Sequence, residues 1–141
     1  MVNLKADEIM RLQVELEIPE LVGVTPEGNL RVIPIVGGRF TGDKLNGRIV
    51  PGGADWNLSQ VDDIAHVFAK YLLETDDGEF IAIENEGLIN PNSQSLIKTV
   101  PKFMANAAGR YSDLNHGVFV GELGATPGRQ NSVDIVIYKL Y

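Results

Sequence analysis

Residues 10–18 read MRLQVELEI, an unbroken alternation of apolar and polar side chains. Because successive side chains of a β-strand point to opposite faces, this period of two predicts a strand with one buried face. Pro19 follows directly and ends the predicted strand, since proline has no amide hydrogen to give to a sheet. The first structural signal in the chain therefore favours strand rather than helix.

A second pattern predicts a β-hairpin. Residues 65–75 alternate, with Val67 and Tyr71 on one face, and residues 80–86 alternate again after the turn sequence Asp76-Asp77-Gly78. An Asp-Gly pair between two alternating runs favours a tight hairpin turn, because glycine accepts positive φ. We therefore expect residues 65–75 and 79–87 to be adjacent antiparallel strands.

The rest of the chain adds short strands and no helix of ordinary length. Strands are predicted at residues 30–36, 39–41, 47–50, 118–121 and 133–141. Pro51-Gly52-Gly53 is predicted as a turn, residues 109–115 as a loop, and residues 96–108 fit strand or helix. Many short strands with glycine at the corners predict an all-β fold, either a barrel or a sandwich.

The composition is that of an ordinary globular chain, and it excludes several classes of function. With 141 residues the chain is long enough for one domain, which we place at residues 1–141 with residues 1–8 as a loose tail. The net charge of -7 argues against nucleic acid and anionic membrane surfaces as partners. The absence of cysteine excludes disulfides and thiolate chemistry. Since residues 1–8 carry no signal-peptide pattern, we expect a cytoplasmic protein.

The sequence contains few motifs of known catalysts. It has no Gly-x-Ser-x-Gly nucleophile motif, and in residues 37–44 Asp43 interrupts the Gly-Lys pair of a phosphate-binding loop. His66 and His116 are the only histidines, and they lie on separate predicted elements without the spacing of metal ligands. We therefore expect no metal and no cofactor.

The most unusual segment is residues 51–56, PGGADW, which places Asp55 beside the only tryptophan, Trp56. An aspartate against an indole in a partly closed cavity would have a raised pKa and would serve as a general acid or base. The alternative interpretation is structural: Asp55 caps the amides of the glycine turn, and Trp56 plugs the end of the core.

A second polar and aromatic cluster lies in the predicted loop at residues 109–115. Arg110 would hold a carboxylate or oxyanion and Tyr111 would donate a hydrogen bond, with Asn115 beside them as a ligand-binding residue. Alternatively, the arginine pairs with a surface acid and the tyrosine closes the barrel end. Tyr71 and Asn85 share faces with apolar residues of the predicted hairpin, and Asn85 either lines a cavity or bonds to a neighbouring backbone group.

Motifs along nearly the whole chain resemble a known family. The residues that carry the resemblance are Gly37-Gly38, Gly42, Gly47, Pro51-Gly52-Gly53-Ala54-Asp55-Trp56, Ala69-Lys70-Tyr71, Asp77-Gly78, Gly87, Thr99, Pro101, Phe103, Arg110-Tyr111, Leu114-Asn115 and Phe119-Val120-Gly121. In this order they are similar to uncharacterised protein family 0311, also called domain of unknown function 3237. The resemblance implies a compact, mostly antiparallel β-barrel of about eight to ten strands, and it implies no settled activity. Lys70 stands where the family more often has arginine and Phe68 where an acid is common, so an ion pair at this strand would be missing.

The sequence leaves three functional hypotheses. The first is a cofactor-independent isomerase, lyase or hydrolase with a small organic substrate in a pocket at the barrel mouth, where Asp55 transfers the proton and Arg110 and Tyr111 orient the substrate. The second is a small-ligand-binding barrel without catalysis, and the third is a closed structural barrel. A homodimer is left open. The first hypothesis requires that six side chains converge on one cavity: Asp55, Trp56, Tyr71, Asn85, Arg110 and Tyr111.

Overall fold

The computed structural model describes residues 2–93 and 95–141, and strands dominate it. Within these residues it contains one short 3-10 helix, Ser112–His116, and nine strands. The strands are β1 (Ala6–Leu16), β2 (Glu20–Thr25), β3 (Gly28–Thr41), β4 (Gly47–Ser59), β5 (Ala65–Thr75), β6 (Phe80–Ile89), β7 (Ile97–Met104), β8 (Phe119–Ala125) and β9 (Ser132–Leu140). None of the helical residues described forms a segment long and apolar enough to span a membrane.

The strands form one antiparallel sheet that closes on itself. Neighbouring strands follow the order β1-β9-β8-β7-β6-β5-β4-β3, and the pairing of β1 with β3 closes an eight-stranded barrel. β2 is the additional strand, and it pairs with the first part of β3. The all-β, mostly antiparallel barrel expected from the sequence is confirmed, and the sandwich is excluded.

The two ends of the barrel differ in the connections they carry. The turn end carries residues 76–79 between β5 and β6, and the loop end carries residues 60–64 between β4 and β5. The expected hairpin is confirmed, since β5 and β6 pair antiparallel along their length. Gly78 has a φ of 91°, and its amide donates to the carbonyl oxygen of Thr75 at 2.9 Å. This conformation explains why glycine occupies the position.

β3 has different neighbours along its length. Its second part, from Ile35 to Thr41, pairs with β1, whereas residues 28–32 pair with β2. The change of neighbour lies between Val32 and Ile35, just before a bulge that contains Gly38, where a Cβ atom would collide with the carbonyl oxygen of Gln13. β1 ends at Leu16, opposite Ile35, so the first part of β3 extends beyond β1 at the loop end.

Two expectations about local structure are wrong. Pro51-Gly52-Gly53 is not a turn but a bulge inside β4, where the register with β5 shifts between Val50 and Ala54. A bulge tolerates proline because the hydrogen-bond ladder is already interrupted there. The expected tail is also too long, since β1 begins at Ala6 and residues 6–8 pair with β9.

The undecided segment at residues 96–108 forms β7 up to Met104. Its inward side chain Phe103 is buried and packs edge-on against Phe119, with ring centroids 5.0 Å apart. Burial of the aromatic side chain in the barrel therefore prevails over the helical propensity of the residues that follow. The segment predicted as loop, residues 109–115, contains most of the 3-10 helix.

The barrel interior is divided into an apolar half and a polar half. Toward the turn end the inward positions carry large buried side chains, among them Phe40, Ile49, Leu73, Ile81 and Phe103. Toward the loop end, most inward positions of β4–β7 carry small or polar residues, namely Asp55, Asn57, Ala65, Ala69, Asn85, Gly87 and Thr99, and the exceptions are Val67 and Pro101. β1, β8 and β9 contribute apolar side chains to the same part of the interior: Leu16, Leu123 and Val133. The polar half thus has one polar wall and one apolar wall.

Candidate functional site

The polar wall is set by the register of β4–β7. Two adjacent rows of paired residues cross these strands, one with Asp55, Ala69, Asn85 and Pro101, the other with Asn57, Val67, Gly87 and Thr99. Asn57, Asn85 and Thr99 are buried, so both rows face the interior. Because neighbouring strands lie about 4.8 Å apart, the polar side chains of the two rows form one continuous patch.

Four oxygen atoms of this wall are buried and have no hydrogen-bond partner among the described residues. They are Oδ1 of Asn57, the hydroxyl of Tyr71, Oδ1 of Asn85 and Oγ1 of Thr99. Each unsatisfied buried group costs about 1–3 kcal/mol of stability. The great majority of buried polar groups in folded proteins are paired with protein or with ordered water, so four unpaired oxygens in one patch are positions where water or a ligand can bond.

Asp55 is fixed at one oxygen and unpaired at the other. Its Oδ1 accepts a hydrogen bond from the amide of Phe68 at 3.1 Å, whereas its Oδ2 makes none within the part of the chain that the structure describes. Burial raises the pKa of Asp55, and this effect exceeds the lowering by the Phe68 amide and by the positive charges of Arg31 and His66. The carboxyl group therefore takes up a proton more readily than an exposed aspartate.

Tyr71 lies on β5 two residues after Ala69, the register partner of Asp55, and is fully enclosed. Burial raises the pKa of the Tyr71 hydroxyl, and the nearby charge of Asp55 raises it further. The hydroxyl consequently stays protonated at neutral pH and is available as a hydrogen-bond donor. Tyr71 and Asn85 thus lie with Asp55 in the polar half, as the sequence predicts.

Trp56 does not lie in this site. Adjacent to Asp55 in a strand, it points to the opposite face, and its side chain is 51% exposed on the outside of the barrel beside Phe68 and Val32. The expectation that Trp56 lines the cavity with Asp55 is therefore wrong, and so is the alternative that it plugs the core. A turn at residues 51–53 would not determine the direction of the Trp56 side chain. An extended strand does, because neighbouring residues of a strand point to opposite faces.

Arg110 and Tyr111 lie at the other end of the barrel. Arg110 forms an ion pair with Asp77 at 3.0 Å, and the hydroxyl of Tyr111 donates to the same carboxylate at 2.8 Å. Asp55 pairs with Ala69, and the six residues from there to Thr75 place the turn end roughly 20 Å away along β5. The expected convergence of six side chains on one cavity is therefore wrong, and the alternative, an arginine paired with a surface acid at the barrel end, describes the structure.

Asn115 also has a structural contact at the turn end. Its Oδ1 accepts the amide hydrogen of Ala105 at 2.8 Å, and its Nδ2 donates to the Ala105 carbonyl at 2.9 Å. These two bonds fasten the 3-10 helix to the chain leaving β7. Asn115 thus lies far from Asp55, and its assignment as a ligand-binding residue is not supported by its position.

Outside the barrel, two ion pairs cross the strands that carry the site. Lys70 lies 3.2 Å from Glu84 on β6, so an ion pair crosses these strands although position 68 holds phenylalanine and not an acid. His66 lies 3.0 Å from Glu86 on the outer face. Within residues 2–93 and 95–141 no three histidine or acidic side chains are grouped closely enough to hold a metal ion.

Three residues of the polar half were not predicted as site residues from the sequence: Arg31, Asn57 and Thr99. Arg31 lies opposite Asn57 in the register of β3 and β4, and its positive charge lowers the pKa of Asp55. Arg31 therefore belongs to the loop end of the site. Asn57 and Thr99 do follow a sequence signal, since each lies two residues from another inward position of its strand. That signal becomes visible only when residues 51–53 are assigned to the strand and residues 97–104 are identified as β.

Two clefts occur elsewhere and offer less to a ligand. A cleft of about 470 Å³ at the turn end is lined by Arg48 and Glu74, which already form an ion pair at 2.7 Å. A second, of about 250 Å³, lies between β7 and the 3-10 helix and includes Asn115, whose amide is already bonded to Ala105. The unsatisfied polar groups are instead concentrated beside Asp55, and we place the candidate site there.

Comparisons with known proteins agree with the fold. A protein of Clostridium acetobutylicum named UPF0311 protein is 31% identical over 112 residues, which cover 77% of this chain and 65% of that protein, so the match spans less than two thirds of the relative. The crystal structure of a beta-barrel like protein from Acinetobacter baumannii has a TM-score of 0.88 at 28% identity, over 100% of this chain and 98% of the other. An enzyme from Penicillium herquei shares the fold, with a TM-score of 0.81 at 15% identity over 100% and 97% of the two chains.

The family itself is identified by a match over nearly the full length. The family model of the proteins of unknown function called DUF3237 matches residues 4–141, which include all nine strands and every residue of the polar half. The motifs at residues 51–56 and 110–115 fall within the match. The chain therefore belongs to the DUF3237 family.

Proposed function

We propose that this protein is a cofactor-independent enzyme that binds a small organic molecule in the polar half of the barrel and transfers a proton with Asp55. The observation that carries the proposal is the set of four buried, unpaired oxygen atoms beside a desolvated carboxyl group. Perturbed carboxyl groups next to unsatisfied polar groups are typical of functional sites. A structural barrel would gain stability from apolar residues at these positions.

The proposed roles follow from which atoms are already bonded. Asp55 Oδ1 is held by the Phe68 amide, so Oδ2 is the atom that accepts or donates the proton. The Tyr71 hydroxyl donates to an oxygen of the bound molecule, and Asn85 pairs with a second polar group. The apolar wall opposite receives a hydrocarbon edge. The ligand is therefore a small molecule with one oxygenated edge and one apolar edge.

The reaction that this arrangement supports is proton transfer next to a carbonyl group. The Asp55 carboxylate takes a proton from the carbon, the electron pair of that C–H bond forms a C=C bond, and the π pair of the carbonyl group moves to its oxygen, where the Tyr71 hydroxyl stabilises the charge. As the enolate collapses, protonated Asp55 returns the proton either to the far carbon of a double bond conjugated with the enolate, or to a leaving group on the neighbouring carbon, whose bond to that carbon breaks. The first outcome is isomerisation and the second is elimination.

Binding without catalysis is the second candidate, because the four unpaired oxygens need a ligand but no chemistry. The fold is compatible with either, since one protein of the same fold is described as an enzyme. The two functions differ in what they demand of Asp55. Catalysis needs an ionisable group at that position, whereas binding needs only a hydrogen-bonding side chain.

The test uses 2-tetralone, an enolisable ketone with a carbonyl edge and an aromatic edge, in deuterated water. We expect amide resonances of Asp55 and Asn85 to shift on binding, and deuterium to enter the position next to the carbonyl faster with the protein than without it. Asp55→Asn should abolish the exchange and retain binding, while Asp76→Asn, an exposed acid at the turn end, should change neither. Binding with no protein-dependent exchange would establish the binding protein instead, and no shift in the polar half would contradict both functions.

A further inference from the structure

Arg31 stands at the entrance to the polar half. It lies on the part of β3 that extends beyond β1, with Asn57 opposite it on β4 and Leu21 opposite it on β2. Asn57 is buried on the inner face, so the register places Arg31 on that face as well. Arg31 is partly buried, and Leu21 beside it is exposed.

The charge of Arg31 is not neutralised by a neighbour. The seven ion pairs formed within residues 2–93 and 95–141 do not include it. Its positive charge nevertheless reaches the carboxyl group of Asp55, one of the groups that it faces. Six other arginine and lysine side chains, among them Arg48 and Arg110, do pair with acids on the outer surface or at the turn end. An arginine directed inward without an acidic partner is suited to an anion from outside the chain.

We propose that Arg31 is the anion-binding residue of the site and that the small molecule bound there carries a negatively charged oxygen, as in a carboxylate. The inference rests on the proposed function and adds the class of substrate. A partly buried guanidinium has lost part of its hydration, and a ligand carboxylate replaces it with two parallel hydrogen bonds. Asn57 lies beside Arg31, and its unpaired Oδ1 is a further contact for a polar group of the ligand.

The charged group of the ligand would lie closer to Arg31 than to Asp55. Ile33 is the register partner of Asp55 on β3, and Arg31 lies one inward position further toward the loop end. The charged group of the ligand is thus held at the mouth, and its uncharged carbonyl or hydroxyl reaches inward to Asp55 and Tyr71. This separation keeps like charges apart while the reactive carbon lies near Asp55 Oδ2.

The test compares benzoate with benzamide, two probes of the same shape that differ in charge. Amide resonances of the full-length protein are followed during titration to tens of millimolar. We expect benzoate to shift Arg31, Asp55 and Asn57, and to bind at least about tenfold more weakly to Arg31→Gln, because a charge-assisted pair is lost. The affinity for benzamide should change less than twofold in the same variant. Arg31→Lys should retain part of the preference for benzoate.

Arg39→Gln is the matched control, since Arg39 is an exposed arginine on the outer side of the same strand. Equal weakening of both probes in Arg31→Gln would overturn the inference, because it would show loss of structure rather than loss of charge. No benzoate shift at residues 31 and 55–57 of the unmodified protein would overturn it without any variant. If benzoate fails this test but deuterium still enters neutral 2-tetralone in a reaction that depends on Asp55, only the anion site is contradicted. If neither benzoate, benzamide nor 2-tetralone shifts resonances in the polar half, the proposed function is contradicted as well.

Discussion

Tyr71 and Tyr111 show how the same side chain takes opposite roles in one barrel. The hydroxyl of Tyr71 is enclosed on β5 and has no partner in the described chain, whereas the hydroxyl of Tyr111 donates to Asp77 at 2.8 Å at the turn end. Thr75 donates to the same Asp77 oxygen at 2.6 Å. One tyrosine thus has an unpaired hydroxyl inside the barrel, and the other connects the loop after β7 to the β5–β6 turn.

Tyr71 and Tyr111 yield a prediction about the free energy of unfolding. Tyr71→Phe removes a buried unsatisfied hydroxyl and should raise the free energy of unfolding by about 1 kcal/mol. Tyr111→Phe removes a formed hydrogen bond and should lower the melting temperature. Urea unfolding of both variants checks the contrast. A Tyr71→Phe variant less stable than the unmodified protein would show that the hydroxyl has a partner, and would weaken the assignment of the site.

At the scale of elements, the sequence predicts strands well wherever one face is buried. The alternation is observed up to Leu16 and the hairpin over residues 65–87, because burying one face of a strand leaves a period of two in the chain. The predicted end at Pro19 is wrong, since β1 ends at Leu16 and Ile18 is exposed. The bulge in β4 is different. Pro51, Gly52 and Gly53 satisfy the chemistry of a turn and of a bulge equally, and only the pairing of Val50 and Ala54 with β5 decides between them.

The β5–β6 hairpin supplies a prediction for a single element. Gly78 has a φ of 91°, and a Cβ atom added there would meet no other atom within 4 Å, so a substitution is opposed by backbone strain and not by crowding. Gly78→Val should destabilise the protein by roughly 1 kcal/mol or more, and Gly78→Asn by less, since asparagine tolerates positive φ. The order of the two urea midpoints is the measurement. Equal midpoints for the two variants would contradict the turn geometry.

At the scale of the whole molecule, the composition of the site depends on closure of the barrel. Tyr71 and Asn85 could be predicted because they lie on the two strands of one hairpin, where register follows from local pattern. Asp55 stands out for its position beside Trp56, and its strand is not predicted from the sequence. Arg31 could not be predicted, because residues 30–36 carry apolar side chains on both faces, so the alternation does not show which face is buried. The position of Arg110 could not be predicted either, because a loop residue carries no sequence signal for which end of a barrel it joins.

The carboxyl groups of the molecule respond to pH in opposite directions. Hydrogen bonds from Thr75 and Tyr111 lower the pKa of Asp77, and similar bonds from Lys98 and Tyr138 lower that of Glu122. A lowered pKa contributes stability above the ordinary value, and that contribution is lost as the pH falls through the folded value. The pKa of Asp55 is raised by burial, so its contribution is present below the ordinary value of 3.8 and is lost as the pH rises.

Two substitutions should therefore change melting temperature with opposite dependence on pH. Asp77→Asn should lower the melting temperature most near neutral pH. This decrease should become smaller as the pH falls below about 4, where the unmodified Asp77 also loses its charge. Asp55→Asn keeps an oxygen for the Phe68 amide and removes the buried charge, so its melting temperature should rise relative to the unmodified protein as the pH increases from about 3 to about 7. Melting curves of the three proteins across this range provide the measurement. If both differences moved in the same direction, Asp55 would be an ordinary paired carboxylate, and proton transfer in the polar half would lose its physical basis.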